Sequence, residues 1–218
     1  MRLNGTVTCI GTGPSLRLEQ IEAARAQGFT LVGCNNVWQI VPDLAVLYGC
    51  NLGWWREYWG PELEAHPASK WTTNREAADA FGLNWIAERN APGLSRYETV
   101  IHHGHGSGYS LVNLAYLMGA ERILLLGYDL KYAADYDGAG HQVGSTPRHY
   151  FGEYPNSLQH WPRVHVRNGV HTELVCLYES VARQGLVEII NCSPDSALTC
   201  FPRMSIENVA VAASRSVA

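Results

Sequence analysis

The chain has 218 residues, of which 46% are apolar and 17% are charged, and its net charge is −4 at neutral pH. This length suits a single domain with a sizeable hydrophobic core, and the composition is ordinary for a globular protein. The small negative charge excludes a strongly basic surface, so it argues against nonspecific binding of nucleic acid.

The stretch from 6 to 16 reads TVTCIGTGPSL and joins a strand pattern to a glycine turn. Its apolar, β-branched first half predicts a short buried strand. Gly11 and Gly13 allow a turn tight enough for backbone to approach a ligand, and Pro14 and Ser15 suit the first turn of a helix. Such a helix start presents free N–H groups to an anion such as phosphate. An ordinary strand–helix turn is the alternative, because the stretch matches neither the dinucleotide fingerprint nor the phosphate-binding loop that contains lysine.

Further along the chain, apolar runs alternate with helical patterns. Strands are predicted at 29–33, 44–48, 70–72, 98–102, 122–127 and 187–190, and helices at 18–27, 54–60, 75–81, 109–118 and 172–183. The helix at 109–118 is apolar almost all round, which predicts that it is buried. Trp54, Trp55 and Trp59 fit one face of a helix, so core packing is favoured over stacking on a base or sugar. Residues 131–167 form a long aromatic loop, and loops of this length are often functional.

The alternation of strands and helices predicts an α/β fold: a Rossmann-like, mostly parallel sheet with helices on both faces, in a single domain. The nucleotide-binding domain is predicted at residues 1–205, with a lid loop at about 131–167 and a C-terminal tail at 206–218. Neither a membrane span nor an apolar signal segment is visible, which predicts a cytoplasmic protein, in the host cytoplasm if a phage encodes it. Six scattered cysteines without a C-x-x-C pair predict buried free thiols.

Polar residues follow most of the predicted strands directly. They are Thr12, Asn35, Asn36, Asn51, His103, His105, Ser107, Tyr128 and Asp129. In a parallel sheet the carboxyl ends of the strands meet at one edge, and ligands bind beyond that edge. The sequence therefore predicts one polar binding site there, across the ends of the first, second and 122–127 strands.

The histidines at 102, 103 and 105 invite a metal interpretation, since imidazole is a common ligand. On a strand, His103 and His105 share a face while His102 points away, so at most two converge locally. Pocket-lining histidines and no metal site are therefore predicted. Asp129 either caps backbone N–H groups of a loop, which is favoured, or binds Mg²⁺ together with nucleotide phosphates. No cofactor is expected to be required, and Mg²⁺ beside the phosphates stays an open alternative.

Five short motifs occur in a familiar order. They are Gly11-Thr12-Gly13-Pro14-Ser15-Leu16, Cys34-Asn35-Asn36, Gly106-Ser107-Gly108 before a buried helix, Leu126-Gly127-Tyr128-Asp129, and His149-Tyr150-Phe151-Gly152. This order resembles the bacterial sialyltransferases that finish lipooligosaccharides, and also their relatives, the pterin-diphosphokinase-like proteins and small phage proteins of unassigned function. The likeness covers roughly residues 6–201.

The resemblance implies a cytidine nucleotide held by the glycine turn, by the asparagine after the second strand and by the Ser-Gly turn. Carried over by position, these are Thr12 (an Asn in the family), Asn35 and Ser107. With the residues that the glycine turns and the strand ends predict, the full set of predicted nucleotide-binding residues is Gly11, Thr12, Gly13, Pro14, Ser15, Asn35, Asn36, Asn51, Gly106, Ser107, Gly108, Tyr128 and Asp129. Tyr132 and Tyr136 of the lid, with Tyr150, would support the departing phosphate. The family's base is a histidine close after the Tyr-x-Gly stretch, whereas here Glu153 follows Gly152, so Glu153 or His149 is the candidate base.

The leading hypothesis is a glycosyltransferase-like enzyme that moves a sugar from a nucleotide-sugar donor to an unknown acceptor, which is a glycan, a modified DNA base or a small molecule. One alternative is a Mg²⁺-dependent pyrophosphokinase acting on a small alcohol. Another is a phage protein that binds a nucleotide or nucleotide-sugar without catalysis. The expected partners are the donor and the acceptor, and a homo-oligomer stays open.

Overall fold

The computed structural model describes residues 1–104, 106–131, 149–152, 154–155, 158, 166–167 and 170–209. The strands are β1 (Thr6–Ile10), β2 (Thr30–Cys34), β3 (Val46–Tyr48), β4 (Ser69–Thr72), β5 (Asn84–Trp85), β6 (Ala87–Arg89), β7 (Val100–His102), β8 (Arg122–Leu126), β9 (Val166–Arg167), β10 (Val170–His171) and β11 (Glu188–Asn191). The helices are α1 (Leu18–Ala26), α2 (Leu52–Tyr58), α3 (Pro61–Ala65), α4 (Arg75–Phe81), α5 (Ser107–Leu117) and α6 (Thr172–Gln184), with a 3₁₀ helix at Asn35–Gln39.

A seven-stranded sheet organises the chain, in the order β11-β8-β1-β2-β3-β4-β5. Every pairing within it is parallel. β1 and β8 lie next to each other near the centre, and their apolar runs are buried on both faces, as parallel strands covered by helices require. This confirms the predicted Rossmann-like, mostly parallel α/β fold in one domain.

Two apolar clusters cover the two faces of the sheet. Val7 and Leu125 face one cluster, which includes Tyr109 of α5. The neighbouring strand residue Leu124 faces the other cluster, with Ile21 of α1 and Trp55 of α2. Alternate strand residues point to opposite faces, so helices are needed on both sides. The prediction of helices on both faces is therefore confirmed.

Two helices behave as their sequences predict. In α5, eight of the eleven residues are buried, which explains why its pattern is apolar almost all round. In α2, Trp54 and Trp55 are 3% and 0% exposed and pack edge-to-face with ring centroids 4.8 Å apart. The tryptophans therefore serve the core, as the sequence favoured.

Other elements differ from the sequence-based expectation. β7 is shorter than predicted and does not join the main sheet, because it pairs with β6 in a separate two-stranded parallel sheet. The sequence predicts loop where β6 lies. β6 has only three residues, and its Glu88 and Arg89 are exposed, so its sequence shows no strand pattern. β5, at the edge of the main sheet, was missed for the same reason. Pro61 begins α3, where its fixed φ suits a first helical turn.

Past the predicted domain end at 205, which stays a prediction, the chain is still packed. Ile206 and Val209 are each 1% exposed and belong to the cluster around α1, so packed chain continues to Val209, four residues past the predicted domain end at 205. The six cysteines are free thiols, as expected, but only Cys9, Cys34 and Cys192 are buried; Cys50 and Cys200 are partly buried, and Cys176 is exposed. Within the described part of the chain, no helix is long and apolar enough to cross a bilayer.

Candidate functional site

The order in which the chain adds strands to the sheet reverses at the junction of β1 and β8. From β1 the chain proceeds through β2, β3, β4 and β5 to one side, and β8 and β11 lie on the other side. Loops that leave adjacent parallel strands toward opposite sides open a crevice at the carboxyl edge of the sheet, which is where ligands bind in such folds. The loop after β1 and the loop after β8 meet at this crevice, as the sequence predicts.

The glycine turn after β1 packs closely against the loop after β8. The Gly13 N–H donates to the Gly127 carbonyl at 2.9 Å. A Cβ on Gly13 would lie 1.8 Å from Asp129 Oδ2, and one on Gly11 would lie 2.7 Å from the Gly127 carbonyl oxygen. Glycine is therefore needed at both positions for the turn after β1 to pack against the loop after β8. Contact of these glycines with a nucleotide stays a prediction.

Asp129 caps the loop that leads into α1. Its Oδ2 accepts a hydrogen bond from the Ser15 N–H at 3.2 Å, and the residue is 5% exposed. Burial raises the pKa of the Asp129 carboxyl, and the bond from Ser15 acts against that rise. The structure thus shows the capping role that the sequence favoured for Asp129.

Replacing Asp129 by asparagine and by alanine should separate its charge from its role as an acceptor. Because the folded-state pKa is raised, the folded protein binds more protons than the unfolded chain, and stability falls as pH rises from 3.8 through the raised value. Asp129→Asn keeps a hydrogen-bond acceptor and cannot ionise, so the decrease in stability with rising pH should disappear. At pH 7 the asparagine variant should be at least as stable as wild type. Asp129→Ala leaves the Ser15 N–H without its partner and should cost about 1–3 kcal/mol. Urea unfolding between pH 3.5 and 7 measures both effects, and an asparagine variant less stable than the alanine variant would refute this explanation.

Tyr128 lies in the core and connects two of the predicted binding turns. Cβ atoms added to Gly11 and Gly108 would lie 3.2 and 3.1 Å from its ring, which therefore sits between the two turns. Its hydroxyl donates to the Gly108 carbonyl at 3.1 Å, and its N–H donates to Ser193 Oγ at 2.9 Å. At 3% exposure, Tyr128 positions the loops and does not face the crevice.

Two of the three predicted asparagines support α2. Asn51 caps that helix, since its Oδ1 accepts from the Gly53 N–H at 2.7 Å. Asn36 is 4% exposed and accepts from the Trp54 indole N–H at 2.6 Å. Asn35 differs, because it is partly exposed at the end of β2 and has a φ of +50°, a backbone conformation that asparagine tolerates.

His149 lies directly over the end of β1. Its Nδ1 is 3.2 Å from Thr12 Oγ1, and the N–H of Tyr150 donates to the Thr12 carbonyl at 2.8 Å. The ring of Tyr154 lies 4.8 Å from that of His149. Burial raises the pKa of Tyr154, and the side chains of Asn35 and Thr12 act against that rise, so the phenol lies close to both. Four polar groups from three parts of the chain thus meet at the ends of β1 and β2.

Tyr154 was missed by sequence reasoning, although its position five residues after His149 in an aromatic loop was a signal. Tyr150 is partly buried and packs against Phe151, with ring centroids 5.1 Å apart. Glu153, Tyr132 and Tyr136 lie outside the described residues, so their predicted roles stay predictions.

A cleft of about 180 Å³ opens at the ends of β3, β4, β6 and β7 and the start of α5, and β3 is the neighbour of β2 in the main sheet. Its lining comprises Cys50, Thr73, Asn74, Glu88, His103, Gly106 and Ser110. Cys50 Sγ lies 3.2 Å from Ser107 Oγ, which connects the end of β3 to α5. Gly106 and Ser107 were predicted at this edge, and Asn74 carried the same signal because it closely follows β4. Glu88 carried none, because β6 itself was not predicted.

The described histidines at 102 and 103 do not take part in a metal centre. The Nδ1 of His102 lies 3.2 and 3.1 Å from the carbonyl oxygens of Pro92 and Gly93. His103 lines the cleft, as predicted, and His105 lies outside the described residues. Within the described ranges, no three histidine, cysteine, aspartate or glutamate side chains come close enough together to hold a metal ion.

No protein-family model matches this sequence, and no curated protein sequence matches it. Among solved structures, the chain is similar to the sialyltransferase CstII from Campylobacter jejuni, determined in complex with a substrate analogue, CMP-3FNeuAc. The TM-score is 0.52 at 13% sequence identity, over 94% of this chain and 86% of that one. This supports the resemblance to sialyltransferases at the level of the fold, and nothing found supports the pterin-diphosphokinase-like or phage relatives. The chain therefore shares the Rossmann-like fold of a sialyltransferase.

Proposed function

We propose that this protein is a glycosyltransferase-like enzyme that takes a sugar from a nucleotide-sugar donor. The observation that carries the proposal is the placement of His149 beside Thr12, at the carboxyl end of β1 and next to the crevice between β1 and β8. The fold is that of a sialyltransferase whose solved complex holds a CMP-sugar analogue. In such folds this edge of the sheet binds the ligand, so a base and a nucleotide site would lie side by side.

In the proposed reaction, His149 accepts the proton of an acceptor hydroxyl as that oxygen attacks the anomeric carbon of the donor. The bond between the sugar and the nucleotide phosphate breaks, and the phosphate leaves with the bonding electron pair. Protein donors near the phosphate stabilise the charge that develops on it. The hydroxyl of Tyr150 and those of Tyr132 and Tyr136 are proposed for this role, and Glu153 is the alternative base.

The nucleotide is proposed to lie across the ends of β1, β2 and β8, over Thr12 and Asn35. The start of α5 faces the adjoining cleft at Gly106, where no side chain caps the helix, so its free N–H groups suit a phosphate. No metal is assigned to catalysis, and Mg²⁺ would accompany the phosphates only. Titrations in EDTA and in Mg²⁺ test that part of the proposal.

Replacing Thr12 by tryptophan should abolish nucleotide binding. Thr12 is partly exposed at the crevice, so an indole there fills the space assigned to the nucleotide while the core stays intact. We expect calorimetry to show no measurable heat for the nucleotide that wild type binds, with unfolding still cooperative.

The matched control is Tyr97→Trp, at a residue that is 69% exposed in the loop before β7. This variant should bind the nucleotide as wild type does. An unchanged affinity in Thr12→Trp would exclude the proposed placement.

A further inference from the structure

The cleft at the ends of β3 and β4 is lined by hydroxyl and amide side chains and by one carboxylate, Glu88. We infer, resting on the proposed function, that this cleft holds the sugar of the donor and that the sugar is uncharged. About 180 Å³ is below the range of about 300–1,000 Å³ that is typical of larger ligands, so the space suits one sugar ring.

The polar groups of the cleft suit hydroxyl groups. Thr73 and Ser110 bring hydroxyls, which both donate and accept hydrogen bonds as a sugar hydroxyl does. Asn74 brings an amide NH₂ that can donate, since its Oδ1 already accepts from the Ala77 N–H at 2.8 Å. Thr73 Oγ1 lies 3.3 Å from the buried hydroxyl of Tyr48, which fixes it in place. A neutral ring with several hydroxyls would find a partner for each of them here.

The charges of the cleft oppose an acidic sugar. Glu88 lines it, and none of the described lining residues is a lysine or an arginine. Burial raises the pKa of the Cys50 thiol, and the negative charge of Glu88 adds to that rise, so the field of Glu88 reaches across the cleft. Among the described lining residues, a sugar carboxylate would meet this like charge and no lysine or arginine to pair with it, and His103 is the one lining side chain that could carry a proton there.

Two neighbouring arginines of the described chain are directed elsewhere. Arg75 bonds to Asp79 at 3.2 Å and lies 5.2 Å from the ring centroid of Trp85. Arg89 follows Glu88 on β6, so its side chain projects from the opposite face of the strand. The start of α5 at Gly106 is the electropositive end of the cleft, and the donor's phosphate would occupy it. The start of α5 would then stabilise the negative charge of the donor's phosphate, and Glu88 would repel a second negative charge on the sugar.

Calorimetry on the full chain tests this with donors that share a nucleotide and differ in the charge of the sugar. The set is UDP, UDP-glucose and UDP-glucuronic acid, together with CMP and CMP-N-acetylneuraminic acid. For the nucleotide that binds, we expect a neutral sugar to tighten binding about tenfold or more and an acidic sugar to give no gain. Glu88→Gln should improve the affinity for the acidic donor about tenfold and leave that for the bare nucleotide unchanged. Glu98→Gln, at an exposed carboxylate before β7, should change neither.

An acidic donor that binds wild type as tightly as the neutral one, or more tightly than the bare nucleotide, overturns the inference and leaves the proposed function standing. The same holds if Glu88→Gln leaves the discrimination unchanged. Failure of every nucleotide to bind overturns the proposed function, and the inference with it.

Discussion

His149→Ala is expected to slow sugar transfer by about 10²–10⁴-fold while the affinity for the donor nucleotide barely changes. A general base acts on the acceptor hydroxyl in the transition state and does not hold the nucleotide, so its loss lowers kcat and leaves binding intact. Steady-state kinetics with the donor identified by binding, together with calorimetry on the variant, measure the two effects separately.

Glu153→Gln is the matched test of the alternative base. An imidazole base ordinarily loses activity below about pH 6.5, whereas a carboxylate base remains active to about pH 4.3. If His149 is the base, its alanine variant should lose the acidic limb of the rate profile, and Glu153→Gln should keep that limb. Near-normal turnover in both variants would show that neither His149 nor Glu153 is the base. A wild-type protein that binds the donor and gives no turnover with any acceptor would favour the non-catalytic binder.

Gly13→Ala is expected to destabilise the fold by about 1–3 kcal/mol or more. The added Cβ would lie 1.8 Å from Asp129 Oδ2 and 2.6 Å from the Gly127 carbonyl oxygen. The carboxylate can rotate away only by releasing the Ser15 N–H, and the carbonyl is backbone of the loop after β8, so the turn itself must shift. Urea unfolding at pH 7 measures the loss.

The control for Gly13→Ala is Gly60→Ala, where a Cβ meets no heavy atom within 4 Å. Gly60 is the N-cap of α3, where alanine is a poorer residue than glycine, so this variant should cost about 1 kcal/mol or less, from the weaker cap alone. Equal losses in the two variants would show that the close approach at Gly13 is not what requires glycine. Because the same turn supports Thr12, Gly13→Ala should also weaken nucleotide binding.

The central sheet was predictable because its signals are local and strong. β8 is a nearly continuous apolar run, β1 is rich in β-branched and apolar residues, both are followed by glycine, and α5 is apolar almost all round. Hydrophobic periodicity and strand–helix alternation therefore predict the parallel sheet and the edge at which Thr12 and Asp129 meet. β5 and β6 were not predictable in this way, since they have two and three residues and mostly exposed side chains.

The candidate site was predictable as a location, and only in part as a set of contacts. A polar residue after a strand can face a ligand or support a neighbouring element, and sequence does not distinguish the two. Asn51 caps α2 and Asn36 accepts from Trp54, whereas Thr12 remains beside His149. Tyr154 and Glu88 reach the site through tertiary packing of distant segments, which no local pattern encodes.

The most direct test of the account is a thermal-shift screen of the full chain against CMP, UDP, GDP, ATP and their sugars, with and without Mg²⁺. Ligands that bind only the folded state stabilise it by mass action, by about 2.7 kcal/mol at 100 times Kd. We expect at least one nucleotide-sugar to stabilise the protein by this amount at 100 times its Kd. At equal concentrations, the nucleotide-sugar should stabilise the protein more than its bare nucleotide does. If no nucleotide or nucleotide-sugar raises the unfolding temperature, the account of this edge of the sheet as a nucleotide-sugar site is contradicted.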